Sequence, residues 1–317
     1  MEIFLAVVMF VAGIILLIKC GDWFVAAASW IARAINIPPF IVGATIVSFA
    51  TTLPEMIVSL IASVQGKNDM AIGNAVGSVS ANTGLIMALA FIFMSVSAPR
   101  KDYWKQIILL LLASTILWVG CLTGTLSLWA SIILMLIFVL AMVSNVTDAK
   151  RNTAPTTVVE KMVITKKDTA KNIFFFIIGA VGIVLGSNLL INGGSTIAES
   201  LGIPERIIAI TMVAIGTSLP ELVTTLTAIR KKEASLSVGN IIGANIIDLS
   251  LILPICSFVS GEAFTVSTQC LLFDFPACLL ISAIALLPLL FKQRAYKWQG
   301  VLMLLGYLAY LIVSSVL

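Results

Sequence analysis

The chain has 317 residues, 60% of them hydrophobic and 11% charged, with a formal net charge of +4 and no histidine. Its mean hydropathy is +1.12. Soluble domains carry roughly a quarter charged residues, so this composition excludes a water-solvated globule and makes the bilayer the main solvent. The basic residues lie at segment ends and form no stripe, so nucleic acid is not expected as a partner. Cys20, Cys121, Cys256, Cys270 and Cys278 lie in or beside apolar runs without CxxC spacing. They read as small packing residues, not as disulfides or zinc ligands. No nucleophile–base pair or phosphate loop is apparent, so the chain does not read as an enzyme.

The N-terminal stretch MEIFLAVVMFVAGIILLI lacks a basic n-region and a small-residue cleavage site, which predicts a retained helix and not a signal peptide. A crossing needs about 20 mostly apolar residues. That rule gives ten spans: 3–33, 39–65, 70–97, 103–121, 125–145, 172–200, 206–229, 235–258, 268–291 and 297–316. The fold class expected is an all-α membrane protein of ten transmembrane helices. Within the first span, Lys19 and Asp22 stand i and i+3 apart and predict a local ion pair or a snorkelling lysine. The polar stretch 146–171 has no strong helical period and reads as a loop between two halves, 1–145 and 172–317. In the ninth span Asp274 shows no obvious partner and is left out of the site. Trp23, Tyr103, Trp104, Trp298 and Tyr307 partly fall near span ends, as interfacial belts do.

Lysine and arginine set the orientation. The odd connectors carry Arg33; Arg100, Lys101 and Lys105; Lys150, Arg151, Lys161, Lys166, Lys167 and Lys171; Arg230, Lys231 and Lys232; and Lys292, Arg294 and Lys297. The even ones carry only Lys67 and Arg206. The odd connectors, 146–171 among them, are therefore expected in the cytoplasm and both termini outside, in a plasma or inner membrane.

A shift of 166 positions superposes two parts of the chain without a gap from about residue 37 to 86. Ile37-Pro38 falls on Ile203-Pro204, Thr45 on Thr211 and Thr51 on Thr217. Leu53-Pro54-Glu55 falls on Leu219-Pro220-Glu221, Gly73-Asn74 on Gly239-Asn240, Gly77 on Gly243, and Asn82 on Asp248. Five spans per copy is an odd number, so the second copy enters the membrane upside down. Two inverted-topology repeats of five are the architecture of many secondary transporters.

The matched residues carry the chemistry. Pro54 and Pro220 remove backbone donors and free carbonyls around Ala50-Thr51 and Gly216-Thr217. In hydrocarbon such groups need a partner, and a bound cation supplies one. Thr51, Thr52, Thr217 and Ser218 add hydroxyl oxygens, while Glu55 and Glu221 add charge without a lysine or arginine nearby. On a helix Asn74, Ser78 and Asn82 share one face, as do Asn240, Ala244 and Asp248. An all-oxygen shell without His or Cys favours Ca²⁺, Na⁺ or Mg²⁺, with Mg²⁺ disfavoured by its reluctance to shed water.

At ATTLPE (50–55) with GNAVGSVSAN (73–82), and at GTSLPE (216–221) with GNIIGANIID (239–248), the chain resembles the calcium/cation antiporter superfamily, and within it the prokaryotic sodium/calcium exchangers. The resemblance implies Ca²⁺/Na⁺ antiport with no covalent cofactor, inorganic cations and the lipid bilayer as partners, and function as a monomer. It implies Glu55 and Glu221 as main Ca²⁺ ligands, with Asn82 and Asp248 flanking the middle site. It places Thr51, Thr52, Ser78, Thr217 and Ser218 on sodium sites, with backbone oxygens near Ser48 and Ala214. It also implies that the first and sixth helices slide across the rest. Three positions depart from the family pattern: Ala50 for Gly, Val79 for Asn and Ala244 for Ser. They bear on sodium sites and leave Ca²⁺/H⁺ exchange as the alternative, with a cation channel or sensor as the least favoured reading.

Overall fold

The computed structural model describes residues 2–94, 100–152, 165–201, 216, 218–260 and 263–316. The chain opens with α1 (Glu2–Ala34) and the bent pair α2 (Pro39–Thr51) and α3 (Leu53–Val64). It continues with α4 (Asn68–Phe93), α5 (Arg100–Gly120) and α6 (Leu128–Asn152). The second half holds α7 (Lys166–Ser200), α8 (Leu219–Lys231), α9 (Ala234–Val259), α10 (Cys270–Lys292) and α11 (Lys297–Val316). Among the described residues eight helices are long and apolar enough to cross a membrane, or nine with α2 and α3 taken as one span bent by 48°. Of the expected span 206–229, residues 206–215 lie outside the described residues, and α8 is its second part.

The connector expected over 146–171 is helical at both ends, because α6 runs on to Asn152 and α7 begins at Lys166. The reason is local: Thr165 caps α7, its Oγ1 accepting from the Asp168 amide at 3.1 Å while the two side chains also pair. Such a cap stabilises a helix start by about 1 kcal/mol.

The connectors sort into two ends. At one, Asn68 Nδ2 reaches Ala263 O and Thr265 Oγ1, and Ser267 N donates to Asp69. There too Leu126 N and Val266 N exchange bonds with Phe264 O and Gly124 O, around an isolated β-bridge between Thr125 and Thr265. At the other end Arg33 meets Glu233 at 3.4 Å, Lys105 meets Asp148 at 2.7 Å, and Tyr103 donates to Ser235 at 3.0 Å. The basic residues of successive odd connectors thus gather on one side.

Three local expectations change. Asp22 pairs with Arg230 and Lys231 of α8, not with Lys19, because α8 crosses α1 there and offers two cations against one. Asp274 has a partner, Tyr310 of α11, whose hydroxyl donates to it at 3.1 Å; the two are 36 positions apart, beyond any local spacing rule. Tyr103 and Tyr307 are buried within the protein and not turned to lipid, the first against the Phe40 ring and the second against Gly84. The five cysteines are buried and free.

Two helix crossings organise the core. α1 and α7 pack along their length, each otherwise turned outward, with 22% and 28% of their apolar windows buried. α9 is buried over 78% of its window and packs against α2, α3, α4 and α8. Where α2 meets α9 the backbones touch: a Cβ at Gly43 would lie 2.8 Å from Asn240 N, and one at Gly243 2.7 Å from Ala44 Cα. Small residues allow this approach, which dispersion stabilises in lipid where no hydrophobic drive acts between helices.

Candidate cation site

The two halves of the chain break regularity at matched positions. α3 and α8 start at Leu53 and Leu219, and α4 and α9 start at Asn68 and Ala234. π-helical turns begin at Asn82 (Asn82–Met87) and Asp248 (Asp248–Ile252). All these pairs are 166 apart. A further π-turn, Gly43–Val47, lies in α2. π-turns shift side chains off the α-helical register and recur at functional sites. Two of the four among the described residues begin at the residues expected to flank a cation, Asn82 and Asp248; the fourth is Cys270–Asp274.

Pro54 and Pro220 sit in the first turn of α3 and α8, where a missing N–H costs nothing to the helix they start. The chain bends before Pro54, and Glu55 and Glu221 lie in those first turns, where the helix dipole favours a negative charge. Both are buried, at 1% and 0% exposure, as are Asn82 at 1% and Asp248 at 0%. Among the described residues, neither oxygen of Glu55, neither oxygen of Asp248, Oε2 of Glu221 nor Oδ1 of Asn82 has a hydrogen-bond partner. Three such carboxylates without a paired cation are a costly arrangement.

The hydroxyls are placed across the two halves. Thr52 Oγ1 of the first motif approaches Glu221 Oε1 of the second at 3.4 Å, and Thr51 Oγ1 reaches Asn240 Oδ1 at 3.2 Å. Ser48 O accepts from Thr52 N at 2.9 Å and from Thr51 Oγ1 at 3.3 Å. Ser78 is buried on α4, and Ser218, also buried, has an unpartnered hydroxyl. Thr217 and Ala214 lie outside the described residues. Asn74 donates to Glu55 O at 3.1 Å and to Ser59 Oγ at 2.9 Å, which fixes the first turn of α3.

Among the described residues no three Asp, Glu, His or Cys side chains are grouped closely enough to hold an ion alone. A cation here must draw on amide, hydroxyl or carbonyl oxygens as well, and these oxygens line the same region. The donor set is hard and flexible, which suits Ca²⁺ and Na⁺.

Sequence reasoning missed Asn245, which is fully buried and donates to Thr83 Oγ1 at 2.8 Å while accepting from Asn82 Nδ2 at 3.1 Å. The signal was present, since Asn245 keeps the family's asparagine where the first copy has Val79. It also missed Asn145 of α6, which donates to Ala44 O in the α2 π-turn at 3.3 Å and is held by Gln106 at 2.6 Å. No motif marks that pair.

Comparison with known proteins finds relatives over nearly the whole chain. The chain is 32% identical to the inner membrane protein YrbG of Escherichia coli over 97% of this chain and 96% of that protein. It is 28% identical to the sodium/calcium exchanger MaX1 of Methanosarcina acetivorans, over 95% and 96% of the two chains. Its structure superposes with a TM-score of 0.84 on the sodium-calcium exchanger NCX_Mj, solved after soaking in 10 mM Na⁺ without Ca²⁺, at 29% identity and covering 97% and 98% of the two chains. The model of the sodium/calcium exchanger protein family matches residues 5–147 and 171–316. The chain is a membrane transporter and not an enzyme, and it belongs to the sodium/calcium exchanger protein family.

Proposed function

We propose that the protein is a secondary antiporter that exchanges Ca²⁺ for Na⁺ by alternating access at a carboxylate cluster near the bilayer midplane. The observation that carries this reading is the set of unpartnered, buried oxygens on Glu55, Asp248, Glu221 and Asn82. In the reading, Glu55 and Glu221 hold Ca²⁺ with Asn82 and Asp248 beside them. Thr51, Thr52, Ser78, Thr217 and Ser218, with carbonyls of Ser48 and Ala214, serve Na⁺. Ca²⁺ and several Na⁺ cannot share one cluster, so occupancy is mutually exclusive. The empty cluster, crowded with like charge, resists crossing.

The architecture proposed is ten helices in two inverted repeats, 1–145 and 172–317, joined by a cytoplasmic segment within 146–171. The matched helix starts and π-turns support it. Both termini are outside and the membrane is the cell membrane; the gathering of basic residues at one end supports that orientation. The lengthwise packing of α1 on α7, largely exposed to lipid otherwise, supports a sliding pair. A single chain holds every residue of the site, which supports action as a monomer.

A second reading, Ca²⁺/H⁺ exchange on the same carboxylates, is favoured by Ala244, which lacks the family's hydroxyl. Uptake of ⁴⁵Ca²⁺ into proteoliposomes decides between them. An outward Na⁺ gradient is expected to drive uptake and an outward H⁺ gradient is not. Uptake driven by H⁺ alone moves the protein to proton coupling, and no uptake under either gradient removes Ca²⁺ as the substrate.

A further inference from the structure

Resting on that functional reading, we propose that Asn245 is a positioning residue that turns the Asn82 carbonyl oxygen toward the cation, and that the chain needs this device on only one flank of the site. A primary amide has one edge that a cation attracts and one that it repels. Asn82 is fully enclosed, so its orientation must be set by a neighbour. Asn245 sets it: Asn82 Nδ2 donates to Asn245 Oδ1 at 3.1 Å, and Asn82 Oδ1 is left without a partner. Asn245 is itself fixed, because its Nδ2 donates to Thr83 Oγ1 at 2.8 Å. The relay runs Asn82–Asn245–Thr83 and ends on the residue next to the one it orients.

The matching positions of the other flank explain the departure at Val79. Shifting by 166, Asn82, Asn245 and Thr83 correspond to Asp248, Val79 and Leu249. The relay is replaced there by two apolar side chains, both fully buried, and both oxygens of Asp248 stay unpartnered. A carboxylate presents an acceptor on either edge and needs no orienting neighbour. The two flanks therefore differ in kind, one an aimed neutral oxygen and the other an unrestrained charge, although the backbone pattern is repeated.

The test measures Ca²⁺ transport in proteoliposomes for the unmodified protein, Asn245→Ala, Asn82→Ala and the double variant, each first shown to be monodisperse. Partners that orient a metal ligand typically contribute about 10-fold or more in affinity. Asn245→Ala is expected to raise the half-saturating Ca²⁺ concentration by about 10-fold with little change in maximal rate. The double variant is expected to be no worse than Asn82→Ala, since both act through one oxygen. Thr83→Val keeps shape and removes the anchor. It is expected to raise the half-saturating concentration by about threefold, the worth of one net hydrogen bond, and it decides the matter if Asn245→Ala does not fold. Unchanged half-saturation in the folded variants, or additive losses in the double variant, overturns the assignment of Asn245 alone. Absence of Ca²⁺ flux by the unmodified protein overturns the exchanger reading and this assignment with it.

Discussion

Replacing Glu55 or Glu221 by glutamine is expected to abolish cation exchange and, at the same time, to stabilise the cation-free protein. The two effects have one origin. Both carboxylates are buried, and three of their four oxygens have no partner among the described residues. A buried charge of this kind is tolerated because something else repays it, and in the proposed cycle the cation does so. Glutamine removes the charge and places an N–H₂ edge where an acceptor is needed. Loss of one partner from a desolvated charge pair costs about 2–5 kcal/mol, which is roughly 30- to 5000-fold in affinity. The Thr52 contact to Glu221 is not the reason, since glutamine keeps an acceptor there. Thermal unfolding in detergent checks the prediction. For the unmodified protein, saturating Ca²⁺ at about 100 times the dissociation constant adds about 2.7 kcal/mol. For either variant that increment is expected to vanish while the midpoint without cation rises. A glutamine variant that still exchanges at the original rate would remove both residues from the site.

The legible and the hidden parts of this protein divide along a physical line. The all-helical membrane class and the sequence repeat were readable because hydropathy and residue identity are local. Glu55, Glu221, Asn82 and Asp248 stood out because polar residues in apolar runs are expensive. The structure encloses all four. Partnerships across the fold were not readable. Asp22 has a lysine three residues away in sequence, yet it meets Arg230 and Lys231. Asp274 shows nothing in its own helix and is paired by Tyr310. Tyr307 looks like an interfacial anchor by position, but a glycine at 84 opens a place for its ring. The polar composition of 146–171 suggested a loop, whereas a Thr165 cap and a polar last turn after Asn145 extend both flanking helices. Asn245 was legible in part. Its motif was recognised, but its role depends on Asn82, which lies 163 positions away.

Gly239→Val is expected to be the most damaging single change outside the site, because α2 and α9 meet backbone to backbone there. A Cβ at Gly239 would lie 3.0 Å from both C and Cα of Phe40, and closer still to its carbonyl oxygen. These are main-chain atoms, and no rotamer change relieves them. The reciprocal position is equally tight, with Gly43 facing Asn240 N. The two helices must therefore part, and overpacking of this kind typically costs about 1–3 kcal/mol, more when the backbone is forced to move. The candidate site lies in the same crossing. α2 carries Ser48 and Thr51, α9 carries Asn240, Asn245 and Asp248, and the Thr51–Asn240 bond of 3.2 Å spans the gap. A shift of about 1 Å breaks that bond, so a variant that still folds is expected to lose exchange. Gly306→Ala is the control: its nearest neighbour would be Ile281 Cγ1 at 4.0 Å, ordinary contact, and alanine is the better helix former by about 1 kcal/mol. Size-exclusion profiles and melting curves of the two variants separate these cases. A Gly239→Val protein that is monodisperse and exchanges normally would mean that α2 and α9 cross at ordinary helix distance, and that the repeated glycines do not set the geometry of the site.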